Sequence, residues 1–329
     1  MHLEGRILSG IGNGVAAGAL WGFVFLAPQL LSGFSPTQLC VARYLIYGVF
    51  SLLLLIPRWR TLPHLGKNEW FSLGWLSLLG NILYYVLLSE AIQLAGGAPT
   101  SFIVGLLPVV VTVVGTRSSD AVKLRSLVLP MLLCCIGVGL ISYHAFRVGT
   151  LGADFTHKAL GFLCAFCALV SWSAYAIGNS RCLMRLPHIS AHEWSLLTGV
   201  VTGAIAVIQG FLVLLFSSAL HSSPDWLRFW GISAGVAFFA SIVGNRFWNQ
   251  ASRLVPLTLI GQMLVFETLF ALLYCFLWEH RWPSWLEVLA IFCLISGVVW
   301  CASEHRSVPE NQMHHSRRGI ETNLCAPDC

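Results

Sequence analysis

Three ionisable side chains, Arg43, Glu90 and Glu267, stand inside long apolar runs of a 329-residue sequence in which only 10% of residues are charged. A charge at the centre of a membrane-spanning helix costs about 2.5 to 3.5 kcal/mol on insertion scales, so each needs a reason to be there. Arg43 and Glu90 lie at comparable depths in neighbouring runs, a spacing that allows an ion pair. Such a pair is a structural clamp on one half of a helix bundle, or a gate or substrate contact. Glu267 falls midway through its run, where a carboxylate can bind an ammonium group, carry a proton or bond a neighbouring helix. Aromatic and amide groups recur around them at helical spacing: Asn81, Tyr84, Tyr85 and Leu88 on one face, Trp172, Tyr175 and Asn179 on another, Gln262 and Phe266 on a third. Trp21 also lies mid-run. A ring stripe is ordinarily packing, but amides and phenols at membrane depth need partners, which marks these faces as candidate walls of a cavity. Pro108, close to Pro99, Gly96, Gly97 and Gly105, signals an interrupted helix in which the Val104 carbonyl is freed.

Other chemistries are disfavoured by composition. With 57% apolar residues and a mean hydropathy of +0.76, the chain has too little polar surface for a soluble enzyme, a secreted disulfide scaffold or a nucleic-acid binder. Most of the eleven cysteines fall inside apolar runs, where cysteine behaves as a small hydrophobe. Cys164-x-x-Cys167 lacks both a preceding strand and a second pair, so neither a metal nor a redox cofactor is expected. Gly231-Ile232-Ser233-Ala234-Gly235 has the letters of a nucleophile elbow without the strand-to-helix turn or a histidine base within the membrane. No catalytic residues are assigned.

The elements that must position these residues are helices. About 20 apolar residues cross a bilayer core, and the sequence supplies ten such runs, over about 10–31, 36–56, 70–94, 98–115, 124–144, 159–180, 193–217, 226–250, 255–277 and 283–302. With the amino terminus inside, the loops on that side carry 14 Lys and Arg against four on the other, so both termini are expected to be cytoplasmic. Trp59, Trp70, Trp194, Trp226, Trp230, Trp248, Trp278, Trp282 and Trp285 lie at or near span ends and read as interfacial anchors. Gly10, Gly14, Gly18 and Gly22 give the first helix a strip without side chains, either for tight packing or for sliding. Placing Trp21 over Trp172, Ser35 over Ser190, Gly48 over Gly203 and Ala91 over Ala251 divides the chain into two five-helix repeats. Five is odd, so the second repeat is inverted relative to the first. The organisation read from the sequence is a cytoplasmic N-terminus (1–9), a first repeat (10–144), an inter-repeat loop (145–158), a second repeat (159–302) and a polar, disordered cytoplasmic tail (303–329). Thr198 takes the place of Arg43 in the second repeat, so that charge has no duplicate.

Ala19-Leu20-Trp21-Gly22, Ala27-Pro28, Phe34-Ser35-Pro36 and Arg43-Tyr44-Leu45, with Val265-Phe266-Glu267-Thr268-Leu269 later, resemble the YddG-type aromatic amino acid exporters of the EamA branch of the drug/metabolite transporter superfamily. The resemblance covers roughly 10–302. It implies an all-α protein of ten transmembrane helices in the inner membrane, exporting aromatic amino acids and similar zwitterions by alternating access. Its partners would then be the small-molecule cargo and the lipid bilayer, with no nucleic acid. The alternatives are a general drug or metabolite exporter of the same superfamily and, less expected, a membrane-embedded enzyme or a non-transporting scaffold. The run 10–31 has no acidic residue, which separates it from the four-helix multidrug exporters of this superfamily. In this reading Trp21, Asn81, Tyr84, Tyr85, Trp172, Tyr175, Gln262 and Glu267 line the cavity, Arg43 and Glu90 form a gate or ion pair, and Pro108 breaks the fourth helix.

Overall fold

The computed structural model describes residues 3–61, 65–115, 128–133, 135–137, 139–140, 143, 153–186, 188–216, 222–254 and 257–306. Every regular element among them is helical. The helices are α1 (Leu3–Leu30), α2 (Pro36–Leu55), α3 (Lys67–Ala95), α4 in two pieces (Gly97–Val104 and Leu107–Gly115), α5 (Val128–Gly137), α6 (Ala153–Arg185), α7 (Ala191–Phe216), α8 (Ser223–Leu254), α9 (Leu257–Trp278) and α10 (Trp285–Arg306). Six are long and apolar enough to cross a membrane, namely α1, α2, α3, α6, α7 and α8. Shorter apolar helices lie in α4, α5, α9 and α10. Helix ends differ from the sequence reading in places. α1 begins seven residues earlier than expected, and α6 takes in part of the expected inter-repeat loop by starting at Ala153. α10 runs on to Arg306, and the rest of the expected tail lies outside the described residues.

Local signals set the helix starts. Ser35 caps α2, accepting from the Gln38 N–H at 3.2 Å while the Gln38 side chain accepts from the Ser35 N–H at 2.8 Å. Ser190 and Glu193 make the same reciprocal box at α7, as do Ser284 and Glu287 at α10. Gly96, at φ +97°, is the corner between α3 and α4, a conformation that side-chain-bearing residues rarely adopt. The α4 break at residues 105 and 106 falls just ahead of Pro108, which cannot donate to Val104 and whose ring crowds that carbonyl. α3 and α8 each contain a π-helical turn, over Leu78–Leu83 and Ala237–Gly244. These widened turns loosen the normal carbonyl pairing at mid-helix.

The packing suits lipid outside and small residues inside. Leu214, Leu227, Phe71 and Trp282 are among many large apolar side chains left exposed, an arrangement stable only in a bilayer. Between helices sit fully buried Ser51, Ser77, Ser89, Thr100, Ser101 and Thr202. Several of these hydroxyls return to the backbone four residues earlier, as in Ser101 to Gly97 and Thr202 to Thr198, so they cost little without water. The glycine strip of α1 lies against α9: a Cβ on Gly18 would stand 2.8 Å from the Glu267 backbone nitrogen, and one on Gly22 2.9 Å from that of Ala271. α2 crosses α7 at Gly48 and Gly203, where a Cβ on either would reach 2.6 Å from the other's Cα.

Candidate functional site

α1, α2, α3, α6, α8 and α9 converge on one small cavity. Its wall is formed by Trp21, Val24, Arg43, Tyr44, Gly80, Asn81, Tyr84, Trp172, Tyr175, Asn245 and Glu267. The glycine seam between α1 and α9 brings Glu267 to this point, and the π turn of α3 brings Gly80 and Asn81. Gly80 is needed there, because a Cβ would enter the Tyr175 ring. The cavity holds about 30 Å³, room for a water molecule or two and far short of the ~300 Å³ that enclosing a small ligand requires. The bundle is therefore closed around its polar centre.

Rings make one side of this centre. Trp21 meets Trp172 edge-on at 5.9 Å and Trp248 at 5.1 Å; Trp172 meets Trp248 at 6.1 Å, Tyr84 at 6.3 Å and Tyr175 at 5.8 Å. The Trp21 indole N–H donates to the Ala240 carbonyl at 3.0 Å, a group within the α8 π turn. The charges make the other side. The Arg43 guanidinium carbon lies 4.4 Å from the Tyr85 ring centre and 5.0 Å from that of Tyr44, and its Nε donates to Ser241 Oγ at 3.1 Å. Glu267 is buried on the facing wall within electrostatic reach of Arg43. Asn81 donates to Thr202 Oγ1 at 2.9 Å, tying α3 to α7.

Of the expected residues, Trp21, Asn81, Tyr84, Trp172, Tyr175, Glu267 and Arg43 meet at the cavity, and Tyr85 lies behind it under the guanidinium. Gln262 lies on α9, but its side chain is outside the described residues. The ion pair expected between Arg43 and Glu90 is not formed. Glu90 is half-buried and interacts with Cys164 of α6, because five residues beyond Tyr85 places it about 140° around α3 from the face that meets Arg43. Pro108 is buried away from the cavity, beside the α4 break. Two expected interfacial anchors are also corrected. Trp248 belongs to the ring cluster, and Trp194 is 1% exposed with its N–H on Asn179 Oδ1 at 2.7 Å. Trp248, Asn245 and Ser241 were missed as site residues. The signal for Asn245 and Trp248 was the polar character of 245–253, which reads as a span end although α8 continues through it to Leu254; Ser241 lies in an apolar stretch and had none.

A second hollow, of about 460 Å³, opens on the flank between α9 and α10 and is lined by Leu272, Leu273, Phe276, Leu277, Trp282 and Ile291, with Arg281 at its edge. It has no convergent set of buried polar groups, and Trp282 beside it is 93% exposed. Arg281 is committed elsewhere: it grips Glu287 at 2.7 and 2.8 Å and also pairs with Glu279, locking the turn into α10. Its hydrogen bonds donated to Glu287, then the one donated to Glu279, raise its pKa further above the ordinary arginine value.

A lipid-faced helical bundle with ionisable and aromatic groups gathered at a central closed cavity has the build of a polytopic membrane transporter. The profile of the EamA-like transporter family matches residues 8–143. The inner membrane protein YtfF of Escherichia coli (strain K12) is 30% identical over 321 residues, covering 94% of this chain and 99% of that protein. The uncharacterized transporter YyaM of Bacillus subtilis (strain 168) is 27% identical over 236 residues, 68% of this chain and 71% of its own. A solved crystal structure superposes with a TM-score of 0.64 at 19% identity, over 89% of this chain and 96% of its own, which is a likeness of fold. The chain belongs to the EamA-like transporter family, within the drug/metabolite transporter superfamily, and is a multi-pass membrane transporter of small molecules.

Proposed function

We propose that this transporter exports aromatic amino acids and similar small zwitterions across the inner membrane by alternating access between two inverted five-helix repeats. The observation that carries the reading is the meeting of Trp21, Trp172, Trp248, Tyr84 and Tyr175 with Arg43 and Glu267 at one buried point. Rings suit a flat apolar side chain, whose burial of 150 to 250 Å² contributes about 4 to 6 kcal/mol, and opposite charges suit the two ends of a zwitterion. The name of the E. coli relative, an inner membrane protein, supports the location.

Four features support the inverted repeat and a ten-span count. Gly48 and Gly203, matched in the sequence alignment of the halves, face each other where α2 crosses α7, as residues beside a twofold axis do. Ser35 and Ser190, matched by the same shift, both head capping boxes. The shift that places Ala91 over Ala251 also places the α3 π turn over that of α8. The four shorter apolar helices fall in the fourth, fifth, ninth and tenth runs of the sequence.

The test is efflux from proteoliposomes loaded with labelled tryptophan, phenylalanine or leucine, with and without a pH gradient. Faster efflux of the two aromatic amino acids than of leucine is expected. Equal, protein-independent leakage of all three would remove the aromatic cargo and leave a general metabolite exporter.

A further inference from the structure

Two buried polar atoms on the cavity wall have no partner. Arg43 is 6% exposed and Tyr84 is 5% exposed, yet the Arg43 Nη1 and the Tyr84 hydroxyl make no hydrogen bond. The rest of the guanidinium is held. Its Nε is bonded to Ser241 and its carbon lies against the rings of Tyr85 and Tyr44, which stand nearly at right angles to each other, so the group is oriented before any ligand arrives. Glu267 could satisfy Arg43 by direct contact, but among the described contacts no ion pair joins the two, and the water-sized cavity touches both side chains. A cation with a spare donor and a phenol with a spare donor thus share one space with a carboxylate. Buried donors left unmade are costly unless another molecule completes them.

We infer that Arg43 Nη1 and the Tyr84 hydroxyl are the receptor for the carboxylate of the cargo, with Glu267 receiving its ammonium group. The inference rests on the transport reading above and sharpens it. The cargo is an α-amino acid or a close zwitterion, whereas an aromatic amine or an uncharged aromatic compound would leave the guanidinium unpaired. A planar guanidinium suits this task better than an ammonium because its N–H groups diverge at fixed angles that match carboxylate oxygens. The site is single, since Thr198, the counterpart of Arg43 in the second half, spends its hydroxyl on the Trp194 carbonyl. The competing assignment makes Arg43 only a clamp between α2 and α8 through Ser241.

Four labelled probes separate the two assignments in binding to the purified full chain in lipid nanodiscs: tryptophan, tryptamine without the carboxylate, indole-3-propionate without the ammonium, and indole. Tryptophan should bind at least about tenfold more tightly than tryptamine, the effect of one charge-assisted hydrogen bond. Arg43→Gln and Tyr84→Phe should each weaken tryptophan binding and leave tryptamine unchanged. Glu267→Gln should weaken tryptophan and leave indole-3-propionate unchanged. Ser241→Ala, which removes the clamp bond but keeps the guanidinium, should weaken tryptophan binding less than Arg43→Gln does; an effect as large as that of Arg43→Gln, together with a silent Tyr84→Phe, would favour the clamp and overturn the receptor. Should Arg43→Gln fail to insert, Tyr84→Phe carries the test. Equal binding of tryptophan and tryptamine by the unaltered chain overturns the carboxylate receptor and leaves the aromatic cavity standing. Absence of binding by all four probes overturns the aromatic reading and this inference with it.

Discussion

The indole of Trp21 packs against two other indoles and also hydrogen-bonds the backbone of a helix from the opposite half of the chain. Replacing it with phenylalanine keeps most of the ring contact but removes the hydrogen bond to the Ala240 carbonyl in the α8 π turn, at a cost of about 0.5 to 1.5 kcal/mol. Trp21→Phe should therefore lower both the thermal unfolding temperature in detergent and the rate of cargo efflux. Trp194→Phe removes a comparable bond, to Asn179, outside the cavity lining, so it should lower the unfolding temperature by a similar amount and spare efflux. If the two variants lose efflux equally at matched protein levels, the ring cluster has no special place in transport. At this scale most of the residues that meet at the cavity are legible in the sequence because buried charges and mid-span rings are conspicuous in an apolar chain. Glu90 is misplaced because depth along a helix was weighed and angle around it was not. Trp194 and Trp248 are misplaced because a tryptophan near a span end is the same letter whether it faces lipid headgroups or a helix interface.

Helices α2 and α7 touch without side chains between them at Gly48 and Gly203. There a methyl group has no flexible neighbour to displace, only backbone, so Gly48→Ala and Gly203→Ala should each reduce folded yield and unfolding temperature, and by similar amounts because each Cβ would meet the other glycine's Cα at the same 2.6 Å. Gly231→Ala in α8 is the contrast. A Cβ there meets nothing within 4 Å, and alanine is the better helix former by about 1 kcal/mol, so this variant should be neutral or slightly more stable. Thermal unfolding of the three variants in one detergent checks both statements; a stable Gly48→Ala would show that the crossing can relax. Capping adds a second expectation. Ser190→Ala should cost about 1 kcal/mol, since the start of α7 loses the acceptor for the Glu193 N–H. Spans are legible in the sequence because apolar runs of bilayer length are hard to disguise. The π turns are not, since Leu-Leu-Gly-Asn-Ile-Leu at 78–83 differs in no pattern from an ordinary helical turn.

At the scale of the whole molecule, apolar clusters stand on either side of the cavity. One packs Leu55, Leu73, Leu76, Ile189, Trp194 and Leu197, joining the end of α2 and the start of α3 to the start of α7. At the opposite end of α1, Phe34 is stacked on Phe229 at 4.3 Å with Trp226 edge-on at 5.3 Å, joining the α1–α2 turn to the start of α8. If both termini are cytoplasmic, as the basic-residue asymmetry proposes, the first cluster lies on the cytoplasmic side and the second on the outside. Reporter fusions after Arg60 and after Arg306 should then both register as cytoplasmic, and an external signal from either would change the span count by an odd number.

The cavity between these clusters is too small for an amino acid, so cargo cannot cross unless each cluster separates in turn. Phe34 and Phe229 belong to different halves of the chain and meet through side chains alone, which makes their contact the one to hold shut. In a cysteine-free background, Phe34→Cys with Phe229→Cys joined by a short thiol cross-linker should arrest efflux from proteoliposomes, and reductant should restore it. Either single variant treated alike should keep transporting. Full efflux from completely cross-linked protein would mean that the outer path does not run between the α1–α2 turn and α8, and that the mobile contact lies elsewhere between the halves.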